Sequence, residues 1–446
     1  MVVINQAPAT QDGRAGLKVH KHAATPPTPA ASVEADPSPE AVTDPEFGAL
    51  PRDAPSRRSR CANVCTTVRR LRQQDPRRRD VVRVVAGAMD RRGTPPADRP
   101  YHALEFTIHV VRSPRGVEPS TLIAGKGPSM FTWTTRSLHP DIDLIRDSYA
   151  ISVWGRQQVG FVRMHDEAGG TNRAAHWVSH RHSFRSLHPT SATASKAYCL
   201  RDSAIVGSVV RGGVALPFRW DGLDPAGFLL GDGSGEAYAH SRGWSGGLQN
   251  VDAHLWHDDG SVVTLHEEQN GAIHGQSQVT GMFEHQQVGT VWKEVGLRAY
   301  LWEGALESGR TLHPSSSAAA NVDSEAHGVH GGIQVGRVGH RACLWGGTPE
   351  SHRDLHPPSA LSSVAKGIHD SIQVGHVMTP TGPEACAWAG AAATSMNLHA
   401  ALPPWFNHST ANGVWRYANG LTLVVGHGYR VAPNRTEALL WVGRPI

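Results

Sequence analysis

Six histidines follow a leucine at recurring places in the chain: His139, His188, His266, His313, His356 and His399. Imidazole ligates metals when neutral and binds anions when protonated. A ring of such side chains on one face of a symmetric fold would be a binding site, and these six are the candidate binding residues. Four precede proline (Pro140, Pro189, Pro314, Pro357). That marks a turn, where a histidine can instead cap backbone groups. A metal centre also needs acceptors that hold its imidazole ligands in orientation, and no Asp or Glu recurs beside the six, so neither metal nor cofactor is expected.

Carboxylates offer a second chemistry. Asp258, Asp259, Glu267, Glu268, Glu284 and Glu303 could supply the acid–base pair of a glycan hydrolase, whose mechanism follows from the separation of two carboxyl groups. They crowd into one short stretch. There is no G-x-S-x-G elbow, H-E-x-x-H helix, P-loop or dinucleotide-binding fingerprint. Binding is therefore the leading reading and catalysis the second. Cys61 and Cys65 form an isolated C-x3-C with no partner pair at zinc-ligand spacing.

The elements that must carry these residues repeat. Short apolar runs end in tryptophan at Trp133, Trp177, Trp220, Trp256, Trp302, Trp345, Trp388 and Trp441. Successive spacings are 44, 43, 36, 46, 43, 43 and 53, a mean of 44. Leu-His follows most of them about ten residues later. A strand closing on Val-Gly or Gly-Gly recurs at Gly160, Gly207, Gly247, Gly289, Gly336, Gly375 and Gly426. The weakest unit follows Trp220 and keeps FLLGDGSG in place of Leu-His-Pro.

Each unit holds short β-branched or aromatic runs cut by Gly, Pro, Asn and Asp. No 3.6-residue periodicity persists, which excludes TPR, HEAT and ankyrin arrays. Four short strands plus turns fill about 44 residues, the size of one propeller blade. Ring closure gives every such sheet two neighbours to bury its faces against. The 316 residues of 131–446 therefore predict an all-β, seven-bladed β-propeller, with eight blades as the alternative because the tryptophan strands number eight. The C-terminal strands are expected to complete a blade begun by the N-terminal ones. The tryptophans should fill the wedges between blades; the functional alternative is a platform for a sugar or quaternary amine. Val-Gly should mark close strand approach. Gln158, Gln287, Gln334 and Gln373 before it should bond across blades or line the channel. Cys343 and Cys386 read as small buried side chains.

The pattern A-x-G-I-x-x-x-x-Q-V-G, a variable loop, then A-x-L-W-x-G resembles the HAF-type repeat of bacterial, often surface-associated β-propellers. Ala365 to Gly375 with Ala385 to Trp388, and Ala326 to Gly336 with Ala342 to Trp345, carry the resemblance. Leu-His-Pro stands where that repeat more often has Leu-Gly. The resemblance spans about 300 residues. It implies a propeller at the cell surface or outside the cell, and it implies no reaction.

Charge is uneven along the chain. The net charge is +4, yet residues 56–100 hold 13 Arg against 4 Asp, and residues 1–55 are net −3. Residues 23–55 have little to bury. Residues 1–100 are thus expected to be a disordered, Arg-rich tail, with VVRVVAGAM at most a transient helix, and 101–130 a linker or edge strand. Met89 and Met130 both precede more regular sequence, so this head also reads as an over-extended gene model; peptides from residues 1–80 of native protein would refute that. Residues 101–446 are net −2, which removes the electrostatic basis for nucleic-acid binding through the propeller. No apolar run is long enough to span a membrane, and five Cys exclude a disulfide scaffold. The N-terminus lacks a secretory pattern, pointing to the cytoplasm where the family resemblance points outward. The expected protein is a monomeric, non-catalytic scaffold binding a protein or glycan partner through its blade loops. The alternatives are a glycan-active hydrolase or lyase, and a purely structural repeat protein.

Overall fold

The computed structural model describes residues 80–86, 104–110, 131–165, 170–266, 276–294, 296–316, 319 and 321–446. The chain divides into two compact units, Met1–Ser120 and Thr121–Ile446. In the first, Asp80–Ala86 and Leu104–Val110 form an antiparallel strand pair, so Asp80–Ala86 is a strand in place of the transient helix expected of VVRVVAGAM. The rest of the expected tail, with Cys61 and Cys65, lies outside the described residues.

The second unit is a seven-bladed β-propeller of four-stranded antiparallel sheets. Blade 1 runs through Ile145–Trp154, Gln157–Met164, Asn172–Val178 and Arg185–Ser186; blades 2 to 7 begin at Ala194, Gly235, Ser277, Ser324, Ser362 and Phe406. Blade 7 takes three strands from the C-terminal end, Phe406–Arg416, Thr422–Arg430 and Arg435–Pro445, and its outer strand, Phe131–Ser137, from the start of the unit. Phe131 lies opposite Pro445, and Ser137 opposite Leu439. This closes the ring as expected and removes the surplus that allowed an eighth blade. Trp133 belongs to that outer strand, opposite Gly443, and is no member of the tryptophan set. The true set is Trp177, Trp220, Trp256, Trp302, Trp345, Trp388 and Trp441, all on third strands and all at most 2% exposed.

Burial of those indoles is what joins blade to blade. Each apolar cluster straddles a boundary: Val335, Ala342, Leu344 and Leu355 of blade 5 pack with Ala365, Ile368, Cys386 and Trp388 of blade 6, and the same arrangement recurs between blades 4 and 5 and blades 6 and 7. The indoles fill wedges, and the sugar-platform alternative fails for them because none reaches solvent.

The Val-Gly glycines answer a backbone irregularity. In every blade the first strand carries an extra residue at one equivalent point, with the register slipping between Ala150 and Ser152, Ala197 and Cys199, Ala237 and Ala239, Val279 and Gly281, Ala326 and Gly328, Ala365 and Gly367, and Ala411 and Gly413; blades 1 and 7 slip a second time, at Ile145/Asp147 and Phe406/His408. Such a bulge bends its strand and drives the preceding carbonyl at the second strand. A Cβ on Gly160, Gly207, Gly247, Gly289, Gly336, Gly375 or Gly426 would lie 1.8–2.0 Å from that oxygen. The glutamines differ from expectation. They act within one blade: Gln373 Oε1 accepts from the Gly390 N–H at 2.7 Å and its Nε2 donates to the Ser371 carbonyl at 3.0 Å. Gln158, Gln287 and Gln334 repeat the pattern. Each ties the loop after the tryptophan to the first hairpin, so it is buried there and not in the channel.

Candidate functional site: the central channel

The six Leu-His histidines are distributed, one at each of six blade boundaries, and are not gathered into a ring that shares a ligand. Each Nδ1 meets a serine hydroxyl on the first strand of the next blade at 2.8–2.9 Å: Ser148, Ser195, Ser277, Ser324, Ser363 and Ser409 for His139, His188, His266, His313, His356 and His399 respectively. The serine oxygen in turn accepts the N–H of an alanine three residues before the tryptophan: Ala438, Ala174, Ala253, Ala299, Ala342 and Ala385. At His313 the Nε2 donates to the Ala319 carbonyl at 3.0 Å, so there the serine hydroxyl donates to Nδ1. The relay staples neighbouring blades. At the boundary of blades 2 and 3 all three members are missing together. Pro217 has no N–H to give, Gly235 has no hydroxyl, and Gly231 occupies the histidine position, while the preceding Leu230 N–H still bonds the Pro217 carbonyl at 2.9 Å. Ser363→Ala leaves the Ala342 N–H and His356 unpaired in the interior. It should cost about 2–4 kcal/mol and lower the thermal midpoint by several degrees, whereas Ser363→Thr, which keeps the hydroxyl, should cost much less; calorimetry of the two variants measures it.

What the ring does gather is one side chain per blade at the bulge. Ile151, Tyr198, Tyr238, Thr280, His327, Lys366 and Asn412 all line a central cavity of about 610 Å³ formed by the first strands of all seven blades. Asymmetry appears at once. On one side the Tyr198 and Tyr238 rings lie 5.1 Å apart and both hydroxyls donate to Glu236, at 3.0 and 2.8 Å, with Ser208 adding a third bond. Burial and the Glu236 charge push both phenols above the usual tyrosine range. On another, Glu325 is held between His327 and Arg337, and these hydrogen bonds hold its carboxyl down to about 2. Across from the tyrosines, Lys366 Nζ donates to Asn412 Oδ1 at 3.3 Å, and Asn412 Nδ2 donates to the Ala150 carbonyl at 2.9 Å, linking blade 7 to blade 1. His376 and His427 stand behind. Burial, then the charge of Lys366, pushes both down to about 4, and burial keeps Lys366 itself below the usual lysine range.

Three residues beyond each bulge, a second tier encircles the mouth. Trp154 contacts Trp415 (4.2 Å between centroids), Trp415 contacts His369 (4.4 Å), His369 contacts His330 (4.3 Å), and His330 contacts Phe283 (4.2 Å). Arg201 completes the circle, its guanidinium 4.9 Å from the Phe283 centroid and 5.0 Å from that of Trp154. Blade 3 offers only the buried Ser241 at this level, and the long arginine crosses that gap. His330, His369 and Asp370 bring ligand atoms within 4.8 Å of one another. The Asp370 N–H already donates to His330 Nδ1 at 3.1 Å, and the Arg201 charge acts on both imidazoles, which works against a cation there.

Among the described residues no Asp or Glu lines the cavity. The carboxylates singled out from the sequence sit elsewhere and are paired: Asp258 with Arg219, Asp259 with His257 and Ser261, Glu284 with Arg242 and Glu303 with Arg310. Glu267 and Glu268 lie outside the described residues. The channel residues escaped the sequence reading because they share a position and not a type. Their signal is the variable x of A-x-G: A-I-S, A-Y-C, A-Y-A, V-T-G, A-H-G, A-K-G and A-N-G.

No family model matches the chain, and no curated protein does. Solved structures similar to it include an acylaminoacyl peptidase from Pyrococcus horikoshii (10% identity, TM-score 0.41, covering 66% of this chain and 51% of that one). Others are the catalytic domain of the Coprinopsis cinerea GH62 α-L-arabinofuranosidase (10%, TM-score 0.29, 71% and 98%) and the WD40 domain of SCAP from fission yeast (9%, TM-score 0.32, 70% and 87%). The chain thus spans about half the length of the peptidase. Likenesses at this level carry no reading of substrate or reaction.

Proposed function

We propose that the propeller is a non-catalytic scaffold that binds a protein or glycan partner through its blade-connecting loops, in keeping with the HAF-type resemblance. The observation that carries this is that five of its exposed apolar side chains share one face, while Phe228, Leu229 and Val262 on fourth strands lie at the other. Leu144, Trp292, Leu361, Trp405 and Val431 are 62%, 49%, 65%, 48% and 55% exposed. They sit at the starts of first strands, the end of a second strand and a second-to-third turn. In an antiparallel blade all of these fall on the same face of the disc. Large apolar side chains presented together are the usual mark of an interaction surface, and two indoles among them suit either a sugar face or a peptide. A two-carboxylate hydrolase finds no support in the channel, whose lining holds no acid among the described residues.

The test is a glycan array and a hydrolysis panel run on the full chain. Saturable binding without turnover, lost in the Trp292→Ala/Trp405→Ala double variant at unchanged thermal midpoint, is expected. Product release from any glycan in the panel would establish the hydrolase instead.

A further inference from the structure

We infer that the central channel is a binding site for a small organic anion, a carboxylate or phosphate ester on a compact body, separate from whatever the loop face holds. Two cations line the cavity, Lys366 from blade 6 and Arg201 from blade 2, and neither has a carboxylate partner among the described residues. Among the described residues Lys366 bonds the neutral Asn412 amide. Arg201 has the Met282 carbonyl at 3.4 Å and two aromatic faces. Elsewhere in the propeller, Arg219, Arg242, Arg310, Arg337, Arg341 and Arg435 each hold an Asp or Glu. Arg211, Arg416 and Lys196 likewise have neutral partners, but only Lys366 and Arg201 among the described cations share one cavity.

A half-buried cation without a counter-charge is costly to keep. A bound anion removes that cost. The volume suits a small molecule, for which about 300–1,000 Å³ is usual. Thr280, His327, Tyr198 and Tyr238 share the tier with Lys366, but both tyrosine hydroxyls donate to Glu236, the Thr280 hydroxyl donates to the Ala326 carbonyl and His327 Nε2 meets Glu325. Lys366 and Arg201 therefore carry the contact with the anion, while Trp154 and Trp415 at the mouth offer faces to the body of the ligand. The bulge position also argues for a ligand. A ring serving only the scaffold could repeat one residue seven times, as the glycines do. This one uses Ile, Tyr, Tyr, Thr, His, Lys and Asn, an arrangement that can recognise an asymmetric molecule.

The experiment follows thermal midpoint and tryptophan fluorescence of the full chain with benzoate and phenyl phosphate, using benzamidine and benzyl alcohol as cationic and neutral controls. Both anions should raise the midpoint and change the fluorescence saturably, and the controls should not. Lys366→Met and Arg201→Met should each weaken the anions tenfold or more, Lys366→Arg should retain most of the affinity, and Lys293→Met, a cation outside the cavity, should change nothing. Without ligand, Lys366→Met should raise the midpoint by a few degrees, because an uncompensated, half-buried charge leaves the cavity wall. The inference is overturned by the absence of saturable binding at millimolar anion, by an equal response to benzamidine, or by affinity unchanged in both methionine variants. Should Lys366→Met fail to fold, Lys366→Gln and Arg201→Met decide on the same terms.

Discussion

Between pH 6.5 and 4 the propeller is expected to lose stability steeply. His139, His176, His240, His369, His376 and His427 are each pushed down to about 4, in every case first by burial. Burial also lowers His188, His313, His356 and His399 of the inter-blade staples. The sign follows from linkage. These groups bind protons more weakly folded than unfolded, so the unfolded chain takes up protons as the pH drops below about 6.5, and the stability they contribute is full above that value and lost on the way down to 4. Each proton excluded by the fold costs about 1.4 kcal/mol per pH unit, and several act at once. The buried carboxylates do not confuse the window, because Glu325 is held near 2 and Glu437 below its usual range. The thermal midpoint should be flat from pH 8.5 to 7 and fall steeply below 6.5, with several protons taken up per molecule unfolded. A midpoint that stays level down to pH 5 would contradict the buried, neutral state of these rings.

Gly375→Ala should be among the most damaging single substitutions in the chain. The new methyl would sit 1.9 Å from the Val364 carbonyl oxygen and 3.0 Å from the Ala365 Cα. The atoms met are backbone of the first strand, so no rotamer change relieves the clash, and the first two strands of blade 6 must separate or lose the bulge. The cost should exceed the roughly 3 kcal/mol upper range of ordinary overpacking, seen as insoluble protein or a midpoint lowered by well over ten degrees. Gly331→Ala is the control. Its φ is +57° and nothing lies within 4 Å of the added Cβ, so it should cost only about 1–2 kcal/mol for the left-handed backbone. Similar losses in the two variants would show that glycine flexibility, and not close approach, explains the Val-Gly repeat.

The fold was legible because its causes recur. A tryptophan on every third strand and a glycine opposite every bulge satisfy the same constraint seven times, and a constraint met seven times leaves a period. The misreadings came where one copy had a different cause. Trp133 carries the same letters as its apparent siblings but lies on the edge strand that closes blade 7. The histidines were visible as a set, while their serine and alanine partners were not, because the relay joins residues 7–11 positions apart to one on the preceding blade, and in blade 7 to one 290 residues away. The channel was the least legible part. Its seven side chains differ in type and approach one another only after the circle is complete, so no local window contains the site.

The seam in blade 7 has a mechanical consequence. Phe131 and Pro445 face each other at the open end of an antiparallel pair, so a load hung between the two ends of the propeller peels that pair one rung at a time instead of shearing all its rungs together. Tension passed along the polypeptide would thus open the disc at this single join, at low force, while the other six sheets stay whole.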